Sequence, residues 1–292
     1  MTSLLKRVKS RLFIRSERQS FLELQGLYRS RAFERGGEFV DLREYAAGDD
    51  VRDIDWKATA RATTTLVRRH EAQTSAVITF VVASSPAFAG ATPGGESKRD
   101  VALFAVGALA VLATQHGDDV ALVVDGSRVA PASSDSHLER MLRALDLTTA
   151  SAAPAVRVAA LIDSAAHTLR RRGIVVIVAD EAELEPPDLA ALRGLRVRHS
   201  VLWLTVGDAA LDVSSASLVD LDSGWRVPAF LRHDVRLVAH SVAARSALRL
   251  SNDAALDLLG IPHTTVDGDA GVLPALIALL TRRTAHASGG RP

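Results

Sequence analysis

Val77-Ile78-Thr79-Phe80-Val81-Val82-Ala83 is an unbroken apolar and β-branched run. A loop rich in Pro and Gly, Pro86 to Gly95, follows it. A short continuous run ending in turn residues is expected of a strand covered on both faces, as in a parallel sheet with helices above and below. Ile174–Ala179 has the same character, and Gly173 before it stops the preceding helix. His199–Thr205, Val120–Val124 and His263–Val266 read as further strands, with Arg128–Ala130 as a short hairpin partner of Val120–Val124. Between them the sequence predicts helices over Lys98–His116, Ser136–Leu145, Ala155–Arg171, Asp234–Leu259 and Gly271–Arg283, and one beginning at Pro187–Leu192. Strands alternating with long helices predict an α/β fold, an open and mostly parallel sheet flanked by helices. Its binding edge would lie beyond the carboxyl ends of the strands. That edge takes in Ala83–Gly90, Thr148–Ala153 and Asp180–Glu185.

The 292 residues are 48% hydrophobic, enough for a sizeable core. A formal net charge of +1 argues against a chain built mainly to grip nucleic acid. Cysteine is absent, which excludes disulfides, thiol catalysis and thiolate metal sites. It also fits a reducing compartment, so a cytoplasmic location is expected. No uncharged apolar run reaches the roughly 18 residues of a membrane span. Val101–Ala113 is shorter and lacks a basic leader, so it reads as a buried helix rather than a signal peptide.

Residues 1–35 form a basic helical segment in which Leu5, Val8 and Leu12 share one helical face. Such a helix either lies on an anionic membrane or packs on the domain with its basic face in water. The second reading is preferred, because one short apolar face binds membranes weakly. Residues 36–71 read as a β-rich annex, 72–284 as the α/β domain, and 285–292 as a disordered polar tail.

The annex contains GGEFVDLREYAAGDDVRDIDWKATARATTTLVRR, Gly36 to Arg69. Beyond Glu38 it holds Asp41, Glu44, Asp49, Asp50, Asp53 and Asp55 among Arg43, Arg52, Lys57, Arg61, Arg68 and Arg69, with Tyr45 and Trp56 inside the run. Crowded carboxylates repel one another and need cations, backbone N–H groups or a metal. The expected local structure is a strand over Glu38–Tyr45, a turn over Ala46–Asp50, a short helix over Asp53–Ala62 and a strand-like run over Thr63–His70. Asp53 is the expected N-cap, which puts Trp56 at the third helical position. Asp49, Asp50, Asp53 and Asp55 suit a hard metal in principle. Salt bridges to Arg43, Arg52 and Arg61 are preferred, since the charges already balance. Trp56 reads as an apolar anchor pinning the annex to the α/β domain, worth on the order of 3–5 kcal/mol if truncated to Ala.

No catalytic or cofactor motif stands out. The loop after the first core strand, ASSPAFAGATPGG, is neither G-x-G-x-x-G nor G-x-x-x-x-G-K-[ST]. Neither G-x-S-x-G nor H-E-x-x-H occurs. The nine His are scattered without metal-ligand spacing, and His116 and His199 read as surface or capped core residues.

The annex resembles the signature of the bacterial domain-of-unknown-function family 58. The matching residues are Glu38-Phe39, Leu42-Arg43-Glu44-Tyr45, Ala47-Gly48-Asp49-Asp50, Arg52-Asp53-Ile54-Asp55-Trp56, Ala60-Arg61 and Val67-Arg68. The family's Pro is replaced by Ala47. The resemblance implies that a von Willebrand factor A-like domain follows. Such domains usually carry a metal-ion-dependent adhesion site that opens with D-x-S-x-S. Here Val82 would stand at the Asp position, Ser84 at the first Ser and Pro86 at the second, while Asp180 matches a later Asp. The implied site is therefore degenerate. Ser84 and Asp180 are its residual candidate ligands, and Ser84, Ser85 and Asp180 form an interaction rim.

The resemblance also implies a non-enzymatic protein-binding role beside a MoxR-type AAA+ ATPase, as a chaperone-like or assembly factor without a cofactor. Two alternatives come from the residues themselves. One is a metal-dependent hydrolase centred on Asp49–Asp55. The other is a peripheral membrane adaptor using the basic N-terminal helix.

Overall fold

The structure is a computed structural model. It describes residues 3–13, 19–28, 41–46, 49–69, 76–83, 85–124, 127–149, 157–166, 169, 172–209, 226, 228 and 234–288. The annex strands β1 (Asp41–Glu44) and β2 (Leu66–Arg69) pair with each other antiparallel. The main sheet holds β3 (Val77–Val82), β4 (Asp119–Val124), β5 (Ser127–Ala132), β6 (Ile174–Ala179), β7 (Ser200–Val206) and β8 (His263–Val266). Their order is β5-β4-β3-β6-β7-β8, and only the β4–β5 pair is antiparallel. The expected α/β class and mostly parallel sheet are found.

The pleat sends alternate side chains to opposite faces. Ile78, Phe80 and Val82 face one layer, while Val81 and Ala83 face the other. The first layer is covered by α1 (Leu4–Leu12), a helical stretch over 19–28 (α2), α4 (Lys98–Gln115), α5 (Asp135–Thr149) and α9 (Val272–Ser288). The second is covered by α6 (Val158–Ala166) and α7 (Pro186–Arg198). The one-turn helix α3 (Trp56–Thr59) belongs to the annex.

Every residue of α4 from Val101 to Ala113 is buried. A helix apolar all round must be covered all round, and α1 supplies its outer cover. Leu5, Val8 and Leu12 enter the same core cluster as α4 and α5. Gly107 makes the approach possible, since a Cβ there would lie 2.7 Å from a methyl of Val8. The small cavity under α1, about 20 Å³, is no larger than one water. Glu139 of α5 fastens the start of α1, accepting from Leu5 N at 2.8 Å, Leu4 N at 3.3 Å and Ser3 Oγ at 2.8 Å. Burial opposes the charged carboxyl, but these bonds and Arg143 outweigh it and bring its pKa down to about 2. The apolar face that a membrane would need is therefore occupied inside the protein. Among the described residues no helix is long and apolar enough to cross a membrane.

Helix α8 (Val235–Leu258) differs from the others. Only Leu256 within it is buried, and Val235 and Leu250 are exposed. Helix α9 runs to Ser288, so it takes in the start of the stretch expected to be a tail. Strand β5 is largely exposed, contains Pro131, and its register with β4 shifts between Val120 and Leu122.

Candidate functional site

The strands β3, β6, β7 and β8 end together, and their following loops make the expected carboxyl rim. Ser85 Oγ donates to Asp180 at 2.5 Å. Ser84 lies outside the described residues. Lys98, whose side chain has no exposed surface, reaches Asp208 at 2.5 Å. Arg249 of α8 pairs with the buried Glu181 and, at 2.8 Å, with Asp267. Arg245 donates to the carbonyls of Asp208 and Ala209 at 2.7 and 2.8 Å. Asn252 donates to Ala182 O at 2.9 Å and accepts from Leu184 N. These α8 residues stand at i, i+4 and i+7, one helical face, so α8 is tied to the rim by polar bonds. Gly207 leaves room for the Arg249–Asp267 pair, since a Cβ there would fall 2.2 Å from Asp267 Oδ1.

Glu181 Oε2 is buried without a hydrogen-bond partner. Burial pushes the Glu181 carboxyl up, against the pull of Arg249. Of the positions expected to hold a divalent cation, Ser84 lies outside the described residues, and Asp180 is already engaged by the Ser85 hydroxyl. Among the described residues no three His, Asp or Glu side chains converge as metal ligands.

The annex departs from expectation in three ways. First, Trp56 is 65% exposed and is not a buried anchor. Asp55, rather than Asp53, caps α3, its Oδ1 accepting from Lys57 N at 3.1 Å and Ala58 N at 3.0 Å. That places Trp56 at the first helical position, at the mouth of a one-turn helix with too little surface to cover it. The segment before the cap is drawn away from helix because Ile54 bridges Val67 beside β2. Second, the described carboxylates serve the backbone. Asp49 accepts from Ala46 N and Asp50 from Arg52 N, both at 2.9 Å, and Asp50 caps a 3-10 turn at Val51–Asp53. Asp49, Asp50 and Asp55 thus each bond a backbone N–H of their own turn. Third, of the expected bridging cations, Arg52 and Arg61 are exposed and make no ion pair among the described residues, nor does neighbouring Lys57, while the Arg43 side chain lies outside them.

Tyr45 is 41% exposed, and Leu42 and Val51 are also exposed. Glu38, Phe39 and Gly48 lie outside the described residues, as do the side chains of Asp41, Arg43, Asp53, Arg68 and Arg69. His116 stacks on Tyr28 with ring centroids 5.2 Å apart. Tyr28 Oη donates to Asp118, whose other oxygen accepts from Ala76 N at 2.8 Å.

The family model described as "Protein of unknown function DUF58" matches residues 41–247. The chain belongs to that family. Proteins from Mycobacterium bovis and Mycobacterium tuberculosis, each described as uncharacterized, are 36% identical to it over 201 residues. The matched region is 65% of this chain, and the chain spans 62% of the length of those relatives. No solved structure matches the chain.

Sequence reasoning found Ser85 and Asp180 but missed Lys98, Glu181, Asp208, Arg249 and Asp267. The one sequence signal was the polar spacing Arg245, Arg249, Asn252 on a predicted helix.

Proposed function

We propose that this DUF58 member is a non-enzymatic, cytoplasmic protein-interaction module of von Willebrand factor A-like architecture. Its partner is a MoxR-type AAA+ ATPase, which it serves as a chaperone-like or assembly factor. The observation that carries the reading is the exposure of Trp56 and Tyr45 on the annex. Trp, Tyr and Arg dominate protein-binding hot spots, and this chain has only three Trp and two Tyr. Tyr28 and Trp203 are buried. The strand order, with its first core strand central and one antiparallel edge strand, supports the proposed architecture. The rim supports a binding role less directly: Lys98, Glu181, Asp208, Arg249 and Asp267 are engaged in ion pairs, whereas Arg52, Lys57 and Arg61 of the annex stand in solvent.

The test is co-expression of the full chain with a MoxR-type ATPase from its own genome, followed by size-exclusion chromatography with and without ATP. Co-elution that Trp56→Ser abolishes is the expected result. Separate elution under both conditions rejects the ATPase as partner.

A further inference from the structure

We propose that the annex surface around Trp56 binds an acidic segment of a partner protein that also presents an apolar side chain. This rests on the interaction-module reading above and names the chemistry of its partner.

The annex backbone brings the groups together. Tyr45 N donates to Thr65 O at 2.8 Å, and Asp55 N donates to Leu66 O at 2.9 Å. Tyr45 and Asp55, the residue before Trp56, therefore flank the same end of β2 from either side, two strand spacings or about 10 Å apart. Val51 is 59% exposed beside them in sequence. Large apolar groups that remain in water at one place, ringed by polar groups, mark interaction surfaces.

The charges decide what kind of partner fits. Asp49, Asp50 and Asp55 bond backbone N–H groups of their own turns. Arg52, Lys57 and Arg61 project from the same segment with no such engagement. Arg52, Lys57 and Arg61 lie within five residues of Trp56 in sequence; a solvated cation is a ready partner for a carboxylate, and burial of an indole in the same contact would strengthen it. A polyanion is a poorer fit. A lipid surface or nucleic acid presents an extended array of charge and would meet the six acids of residues 41–69 as well as the six bases, whereas a short contact can meet Arg52, Lys57 and Arg61 alone. A discrete protein segment can place one or two carboxylates against the cations and an apolar side chain against Trp56.

The test uses the full chain and three fluorescein-labelled synthetic peptides, read by anisotropy. One is made of Asp, Glu, Leu and Phe. The second has Lys in place of every acid, and the third has Ser in place of Leu and Phe. The first peptide is expected to bind, with affinity that falls as salt rises. Trp56→Ser is expected to weaken it at least ~10-fold. The triple charge reversal Arg52→Glu, Lys57→Glu, Arg61→Glu should do the same. Val197→Ser, at an exposed apolar residue of α7, should change nothing. Circular dichroism confirms that each variant is folded. Equal binding of the basic or the serine peptide, unchanged binding by the Trp56 variant, or no binding by any peptide overturns the proposal. So does tighter binding to phosphatidylserine vesicles or to single-stranded DNA than to the acidic peptide. An ATPase that co-elutes while the acidic peptide fails to bind rejects the stated chemistry and leaves the interaction-module reading standing. Peptide binding as expected without any ATPase co-elution supports the chemistry and rejects the ATPase.

Discussion

At the carboxyl rim, Arg249 lies between Glu181 and Asp267, and Lys98 reaches Asp208. In the annex, Arg52, Lys57 and Arg61 stand in solvent while Asp50 and Asp55 bond backbone N–H groups. The two regions hold the same residue types. At the rim, long helices bring charges from separate parts of the chain into a desolvated space, where a cation without an anion is costly. In the annex, the turns recruit Asp49, Asp50 and Asp55, and Arg52, Lys57 and Arg61 remain in water. Charge crowding in a sequence therefore does not by itself say whether the charges pair.

Breaking the rim should have the largest effect. Arg249→Ala leaves the buried Glu181 without its cation, and should lower unfolding free energy by about 2–3 kcal/mol in urea titrations at neutral pH. Burial raises the Glu181 pKa. A raised carboxyl pKa favours the folded state below the unfolded value and loses that contribution as pH rises through the folded one. The variant's deficit should therefore shrink on acidification into the carboxylate range. A deficit that grows instead would mean that Glu181 is not the group left behind.

Glu139→Gln tests a third use of a carboxylate, bonding the start of a helix that is remote in sequence. It should cost about 1 kcal/mol. The folded-state pKa is about 2 against an ordinary 4.5. The stabilisation is thus present above 4.5 and lost as pH falls toward 2, so wild type and variant should converge in acid.

A smaller effect belongs to His199. Burial, with Arg198 and Arg172 nearby, lowers its pKa below the ordinary 6.5. The unfolded imidazole then binds protons more readily, so stability should decline as pH drops below 6.5. In His199→Gln that slope should flatten in pH-dependent unfolding curves.

The smallest effect sharpens the comparison. Trp56→Ser should change stability by less than about 0.5 kcal/mol, because the indole is mostly in water. A loss as large as that of Arg249→Ala would erase the distinction between the two regions.

The sheet was legible because Val77–Val82, Ile174–Ala179 and Ser200–Val206 are buried on both faces, and no alternation had to be interpreted. The placement of α1 was legible for a related reason: Leu5, Val8 and Leu12 fit one face, and the all-apolar α4 needed a cover. Helix boundaries within the annex were not. Asp50, Asp53 and Asp55 are equivalent caps by residue type, and the bridge from Ile54 to Val67, a tertiary contact, selected Asp55. The exposure of Trp56 was hidden likewise, since residue type favours burial and only the small size of α3 denies it. At the rim, the hydroxyl bonded to Asp180 belongs to Ser85, while Ser84, to which the alignment of strand ends pointed, lies outside the described residues. The remaining rim residues come from α4, α8 and the loops after β6, β7 and β8, so no local spacing joins them.

Strand β5 bears on how assemblies with this protein can form. Pro131 withholds one N–H from the outer edge of the sheet, and the register shift beside it increases the local twist. Strand β8 at the opposite margin has only four residues. Edges of this sort resist strand addition by another chain, including the continuous intermolecular sheets that lead to aggregates. Among the described strands, the two margins of the main sheet are thus poor templates for an extendable hydrogen-bonded ladder.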